Sequence, residues 1–172
     1  MIRRAMRSFW AWYERNYTLN VSIAAALFTL QLVHLVWLTG QPLWTKVFGD
    51  ALFEVDKPWS WPLLLVDYTE IPALLSVSLV YLNELRKGGP SIRPVLYLIF
   101  LNSQWLHIFW ITDEFVVATN SSSPATSLPT WLAYVAILID YLELPVIFDT
   151  FRKMRTAVAE DRLGEFLRED LA

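Results

Sequence analysis

No cysteine occurs anywhere in this chain. That absence removes disulfides, thiolate metal sites, thioether-attached haem and cysteine nucleophiles together. Strong charge of one sign is missing too, since the formal net charge is only −3. The basic residues flank apolar segments instead of forming a patch, so no nucleic-acid partner is expected. No small-residue cleavage site follows the first apolar segment, which is therefore expected to stay as an anchor. Polar outer faces, which the helices of a soluble bundle would need, are largely lacking as well.

Apolar residues fill the space those features would occupy. The chain is 55% hydrophobic and 15% aromatic, with nine Trp, which is unlike an ordinary soluble domain. Four apolar segments stand out, at 21–40, 59–81, 93–112 and 132–151. Each is about 20 residues, roughly 30 Å as a helix and the thickness of a bilayer core. The expected fold is an all-α integral membrane protein, a four-transmembrane-helix bundle in which residues 1–172 make one membrane domain.

Basic residues set the expected orientation. Arg3, Arg4, Arg7 and Arg15 precede the first segment, Arg86, Lys87 and Arg93 lie in the second connection, and Arg152, Lys153, Arg155, Arg162 and Arg168 follow the fourth. These are 12 of the 14 Lys and Arg residues. Only Lys46 and Lys57 fall in the other two connections. The positive-inside rule then predicts both termini on the cytoplasmic side.

Two stretches match each other at one offset. Gln31-Leu-Val-His34-Leu-Val-Trp37-Leu-Thr39 reappears as Gln104-Trp-Leu-His107-Ile-Phe-Trp110-Ile-Thr112, and Asp67-Tyr68-Thr-Glu70-Ile-Pro72 as Asp140-Tyr141-Leu-Glu143-Leu-Pro145. The displacement is 73 residues in both cases (107 − 34 and 140 − 67). We read this as a tandem duplication, with repeat 1 about 18–85 and repeat 2 about 91–158. Two spans per repeat give both halves the same direction, which predicts a parallel pseudo-twofold axis along the membrane normal.

The remaining segments read more simply. Residues 1–17 suit a short helix in the headgroup layer or a helical extension of the first span. Residues 41–58 are too apolar for an open loop and are expected to fold back as a lid or interfacial helix. Residues 113–130, opening with Asp113 and Glu114, read as a solvated loop. The tail, about 156–172, reads as an amphipathic surface helix.

The duplicated polar residues are the candidate site. His34 lies roughly 9 Å inside the outer end of its span, and Asp67 and Glu70 roughly 12 to 17 Å from the same side. His107, Asp140 and Glu143 copy that depth. Three-residue spacings put Gln31 with His34, and Asp67 with Glu70, on shared helix faces. A charge in hydrocarbon costs roughly 2.5 to 3.5 kcal/mol, so four acids in one layer need protonation, hydrogen bonds or bound cations. Gln31, Gln104, Tyr68 and Tyr141 are the expected hydrogen-bonding support. Asp67, Glu70, Asp140 and Glu143 are the candidate catalytic groups. With His34 and His107 they also make a candidate ligand set for a divalent transition metal such as iron, zinc or manganese. The count of four helices, four carboxylates and two imidazoles resembles ferritin-like di-iron bundles, although their Glu-x-x-His pair on one helix is missing. Hydrogen-bonded helix packing by the same residues is the bland alternative.

The function classes that follow are a membrane enzyme, metal-dependent or acid–base, acting on a lipid or isoprenoid-like substrate, and a proton- or cation-coupled transporter or channel. A bis-histidine haem carrier ranks last, because four carboxyls make a poor haem pocket. In length, four spans, inside termini, a His in the first span and acids beside Ile71-Pro72 in the second, the chain is similar to the EXPERA group of sterol-isomerase and sigma-2-receptor-like proteins. That resemblance implies acid–base chemistry on, or binding of, a small hydrophobic ligand, and it assigns no individual residue. The expected partners are membrane lipid, such a ligand, and a second copy in a homodimer.

Overall fold

The computed structural model describes residues 2–53, 62, 65–89, 91–111 and 130–170, and every regular element among them is helical. Helix α1 is Ile2–Arg15 and α2 is Tyr17–Leu38, followed by a π-helical turn, Thr39–Leu43, and a short α3, Trp44–Phe48. Then come α4, Glu70–Gly88, α5, Ile92–Ile111, α6, Thr130–Tyr141, and α7, Glu143–Asp170. Two stretches, Tyr17–Gln41 and Leu65–Gly88, are long and apolar enough to cross a membrane.

Helix α2 follows the expected first segment, and α5 follows the third within a residue at each end. The second runs further than the hydropathy predicts, to Gly88 instead of Tyr81. Its last turn carries Arg86 and Lys87, favourable charges at a helix C-terminus, and the next residue, Gly89, takes a positive φ of 75° that ends it. The tail is not a separate element. Helix α7 runs unbroken from Glu143 to Asp170, 28 residues or about 42 Å. The solvated loop, with Asp113 and Glu114, lies outside the described residues.

At the start, α1 and α2 are separated only by Asn16, whose amide side chain donates to the Trp12 carbonyl at 2.8 Å. Asn20 N still donates to Asn16 O at 3.0 Å across the junction. The helical-extension reading is therefore the one realised. After α2, Pro42 lacks the N–H an α-helix requires and would crowd the Leu38 carbonyl. The chain widens into the π turn there. Gly49, at φ 91°, ends α3, and Leu52 N then donates back to Gly40 O at 2.8 Å. The Phe53 ring lies where a Cβ on Gly40 would be, so any larger residue there would push the ring aside. The segment folds back as expected, with Val47, Phe48 and Leu52 left exposed. Its continuation over 54–58 lies outside the described residues.

Helix α2 lies against both α4 and α7, α4 against α5, and α5 against α6 and α7. The buried face of α2 carries Phe28, Gln31, His34 and Leu35, spacings of 3, 3 and 1 that define one helical stripe. The equivalent positions of α5, Leu101, Gln104, His107 and Ile108, are buried as well. Ala73 and Leu74 of α4 pair in the same way with Val146 and Ile147 of α7. The opposite faces are apolar and exposed: Leu19, Ile23, Leu30, Val33 and Val36 on α2, and Ile99, Leu106 and Phe109 on α5.

Candidate functional site

The backbone breaks at the same place in both halves. Thr69 N bonds to Leu65 O and Val66 O, and Leu142 N, 73 residues on, bonds to Leu138 O and Ile139 O. A new helix starts at once, with Glu70 and Glu143 as first residues. Pro72 and Pro145 therefore sit in a first turn, where a missing N–H costs nothing. The prolines thus begin helices beside the acids. They do not kink continuous ones.

At each break a buried glutamine adds a side-chain donor to a carbonyl that the turn's own N–H already reaches. Gln31 Nε2 donates to Val66 O at 3.3 Å and to Thr69 Oγ1 at 3.2 Å. Gln104 Nε2 donates to Ile139 O at 2.9 Å. Positions 31, 66, 104 and 139 are again related by 73. The expectation that these glutamines bind the carboxyls is corrected: their amides donate to the carbonyls of the broken turns, whose second lone pair points at the facing helix.

One of the two tyrosines needs a similar correction. The Tyr141 hydroxyl pairs with Thr39 Oγ1 at 2.7 Å, toward the end of α2 and away from the acids. Tyr68 is half-buried and packs against the apolar core.

The histidines and aspartates do converge. His34 Nδ1 forms an ion pair with Asp67 Oδ1, and His107 Nδ1 lies 3.2 Å from Asp140 Oδ1. These contacts repeat within each half. A third joins the halves, His34 Nε2 to Asp140 Oδ2 at 3.8 Å. The result is an alternating row, Asp67–His34–Asp140–His107, whose members are all buried. The imidazole rings stand edge to face, centroids 5.9 Å apart.

Glu70 and Glu143, both buried, face each other within side-chain hydrogen-bonding reach, with Asp140 close enough to act on both. Each leaves its Oε1 without a hydrogen bond among the described residues, as do both ring nitrogens of His34 and of His107, Asp67 Oδ1, Asp140 Oδ2 and Gln104 Oε1, so the row is held by close approach and not by formed hydrogen bonds. A buried polar atom left so costs about 1 to 3 kcal/mol, and here such atoms gather at one depth. Donor atoms of His34, His107 and Asp140 lie within 4.8 Å of one another, so this buried group can hold a metal ion.

A second buried polar cluster escaped the sequence reading. Asp149 of α7 is 6% exposed. It receives Arg93 Nη2 at 2.5 Å, the Tyr81 hydroxyl at 3.0 Å, and Lys153. Lys153 also reaches Glu84 at 3.0 Å and sits 4.6 Å over the Tyr81 ring. Nearby, Arg86 pairs with Glu14 and stacks 5.0 Å over Trp10. Arg93 and Lys153 look like topology markers in the sequence. The one available signal was an acid, Asp149, placed i−4 to Lys153 in an otherwise apolar run. Comparison of the chain with protein-family models, with curated proteins and with solved structures finds no match.

Proposed function

We propose that the chain is a membrane enzyme of four spans that moves protons on a lipid or isoprenoid-like substrate. The observation that carries this is the alternating row Asp67–His34–Asp140–His107, with the Glu70–Glu143 pair beside it. Carboxylate and imidazole alternate, so a proton leaving one group has an acceptor of the other kind beside it, at 3.2 Å between His107 and Asp140 and, across the 3.8 Å between His34 and Asp140, once the two draw closer. Two carboxyls within hydrogen-bonding reach hold one proton between them, since like charges that close do not both ionise. An acid and a base therefore coexist in one dry layer. Such a set suits isomerisation of a carbon–carbon double bond: a proton is added at one carbon, another is taken from a neighbour, and no net change in composition results.

The membrane reading is supported by an inside-out polarity. Gln31, His34, Gln104 and His107 are buried, while Val33, Val36, Leu106 and Phe109 of the same helices are exposed. In water that arrangement would be unfavourable, and in hydrocarbon it is the expected one. The 12-to-2 split of basic residues supports cytoplasmic termini, and the recurrence at 73 residues of the glutamine bonds and helix breaks supports a tandem duplication.

A second reading, a metal-dependent enzyme, rests on the His34, His107 and Asp140 group. Those three would hold iron, zinc or manganese, which would supply a Lewis acid. Ligands about 2.0 to 2.1 Å from a tetrahedral ion stand roughly 3.3 Å apart, so a group spread over as much as 4.8 Å would have to draw together. Proton transfer along the row needs a smaller movement, closing the 3.8 Å gap between His34 and Asp140 to hydrogen-bonding distance.

One experiment separates the readings. Detergent-purified protein is incubated in deuterated water with lipid extracted from its own membranes, and the lipid is examined by mass spectrometry alongside elemental analysis of the protein. The expected result is deuterium incorporated into a neutral lipid by the wild type and lost in Glu143→Gln and His107→Ala. Incorporation unchanged in both variants overturns the proposal. Stoichiometric metal that His34→Ala and Glu143→Ala both remove, and Trp37→Phe does not, replaces it with the metal reading. Because the chain lacks cysteine, single cysteines at positions 5, 88 and 122 test the topology cleanly. Labelling of 122 from the same side as 88 would refute four spans.

A further inference from the structure

Helix α7 presents an apolar groove with a charged end. A cavity of about 940 Å³ is walled by Leu32 of α2 and by Leu144, Ile147, Phe148 and Phe151 of α7, and past these apolar walls it continues over Arg152 and Arg155 to Glu160. That volume sits at the upper end of the range of small-molecule pockets, roughly 300 to 1,000 Å³. Phe148 is 82% exposed, so none of the described residues covers the groove there. A second cavity, about 390 Å³, shares Arg152, Thr156 and Glu160 with the first. Its other walls are polar, among them Arg93, Asp149 and Lys153. An apolar trough and a polar recess thus meet around one arginine.

Charge and length identify what fits. The two cavities together are lined by four cations, Arg93, Arg152, Lys153 and Arg155, against two carboxylates, Asp149 and Glu160. Arg93 and Lys153 are bound to Asp149. Arg152 and Arg155 have no ion-pair partner among the described residues, so their charge is available to an outside anion. From Leu144 to Arg155 is eleven residues, about 16 Å along a helix, close to half of a bilayer core of about 30 Å. The trough is therefore one leaflet deep, with its cations at headgroup level. A soluble anion would use the arginines but leave the trough empty. A zwitterionic lipid would fill the trough but leave the arginines unbalanced.

We propose that α2 and α7 form a binding site for one anionic phospholipid, with an acyl chain along Leu32, Leu144 and Phe148 and the phosphate on Arg152 and Arg155. The site rests on α7 spanning the membrane and is independent of the chemistry at His34 and His107. Planar guanidinium groups bind phosphate through paired N–H donors, and basic residues on the cytoplasmic flank of a span select anionic lipid.

The test is native mass spectrometry of the full chain in detergent with equal amounts of phosphatidylglycerol and phosphatidylcholine. Phosphatidylglycerol should be retained at least about threefold over phosphatidylcholine, about 0.65 kcal/mol by RT ln 3. The double variant Arg152→Gln/Arg155→Gln should bring the ratio to near one, and Arg3→Gln/Arg4→Gln should leave it unchanged. An even ratio in the wild type, or equal loss in both double variants, overturns the proposal. Displacement of the bound lipid by excess inorganic phosphate would assign the arginines to a soluble anion instead. A second copy of the chain is the rival occupant. Complete disulfide-linked dimerisation of Phe148→Cys in bilayers would assign the trough to it. Loss of the lipid preference with deuterium transfer intact would defeat this site alone.

Discussion

Two buried acidic clusters lie on the same helix α7 and differ in how completely their charge is met. Asp149 is surrounded: Arg93, Lys153 and the Tyr81 hydroxyl all reach it. Six residues toward the N-terminus, Glu143 faces two other carboxyls, Glu70 and Asp140, with the His34 imidazole as its one neighbour of opposite tendency among the described residues. The Asp149 cluster places two fixed cations on one acid, and the other layer places two imidazoles among four acids. A saturated cluster fixes helices to one another. An unsaturated one has protons and lone pairs left for chemistry. The contrast separates packing from function where burial alone does not, because both acids are equally hidden.

The largest expected effect comes from breaking the saturated side. Asp149→Ala strands Arg93, leaves Lys153 with Glu84 alone and leaves the Tyr81 hydroxyl with only the Val146 carbonyl, 3.5 Å away. Removal of one partner from a buried pair costs about 3 to 5 kcal/mol, and the half-exposed Arg93 side chain brings the expectation to the lower end, about 3 kcal/mol. Denaturation in mild detergent should show a clear fall in Tm. A change within error would mean that the cluster adds nothing to stability.

A smaller loss is expected from the glutamines. Gln104→Leu leaves the Ile139 carbonyl without its side-chain donor, at about 1 to 2 kcal/mol. Gln31→Leu should cost less, because its contacts are longer, at 3.2 and 3.3 Å. Equal losses would show that the two halves are supported alike despite the geometry.

The smallest effect carries the opposite sign. Glu143→Gln relieves a crowded acid pair and should raise Tm slightly, by about 1 kcal/mol, while abolishing proton transfer. A destabilised Glu143→Gln would erase the difference between the clusters and make the Glu pair structural. Stability gained with activity lost is the signature of a functional acid.

Much of this site was legible because it was written twice. The offset of 73 picks out the two histidines, the four acids and the two glutamines, and residue spacing gives their common depth. What the glutamines bind was not legible. The broken turns at Thr69 and Leu142 decide that, and a proline in a first turn looks the same in sequence as one inside a helix. Asp149 was hidden for a different reason. Its partners Arg93 and Tyr81 are 56 and 68 residues away in the chain, and the repeat does not mark it, since the position equivalent to Asp149 is Ser76. The end of α4 was misplaced because Arg86 and Lys87 count against an apolar segment but favour a helix terminus.

The row of acids and imidazoles has a direction that its sequence does not. His34 lies beside both aspartates, in contact with Asp67 and 3.8 Å from Asp140, but His107 lies beside Asp140 alone. Two halves alike in residues are thus unlike in connection, as two identical links differ once one of them is the last in a chain. Asp67 is a terminus and Asp140 a junction. Swapping a histidine with its counterpart changes nothing on paper, yet replacing His34 cuts the row in the middle whereas replacing His107 only shortens it. Duplication furnished the parts, and the crossing contact between halves gave them an order.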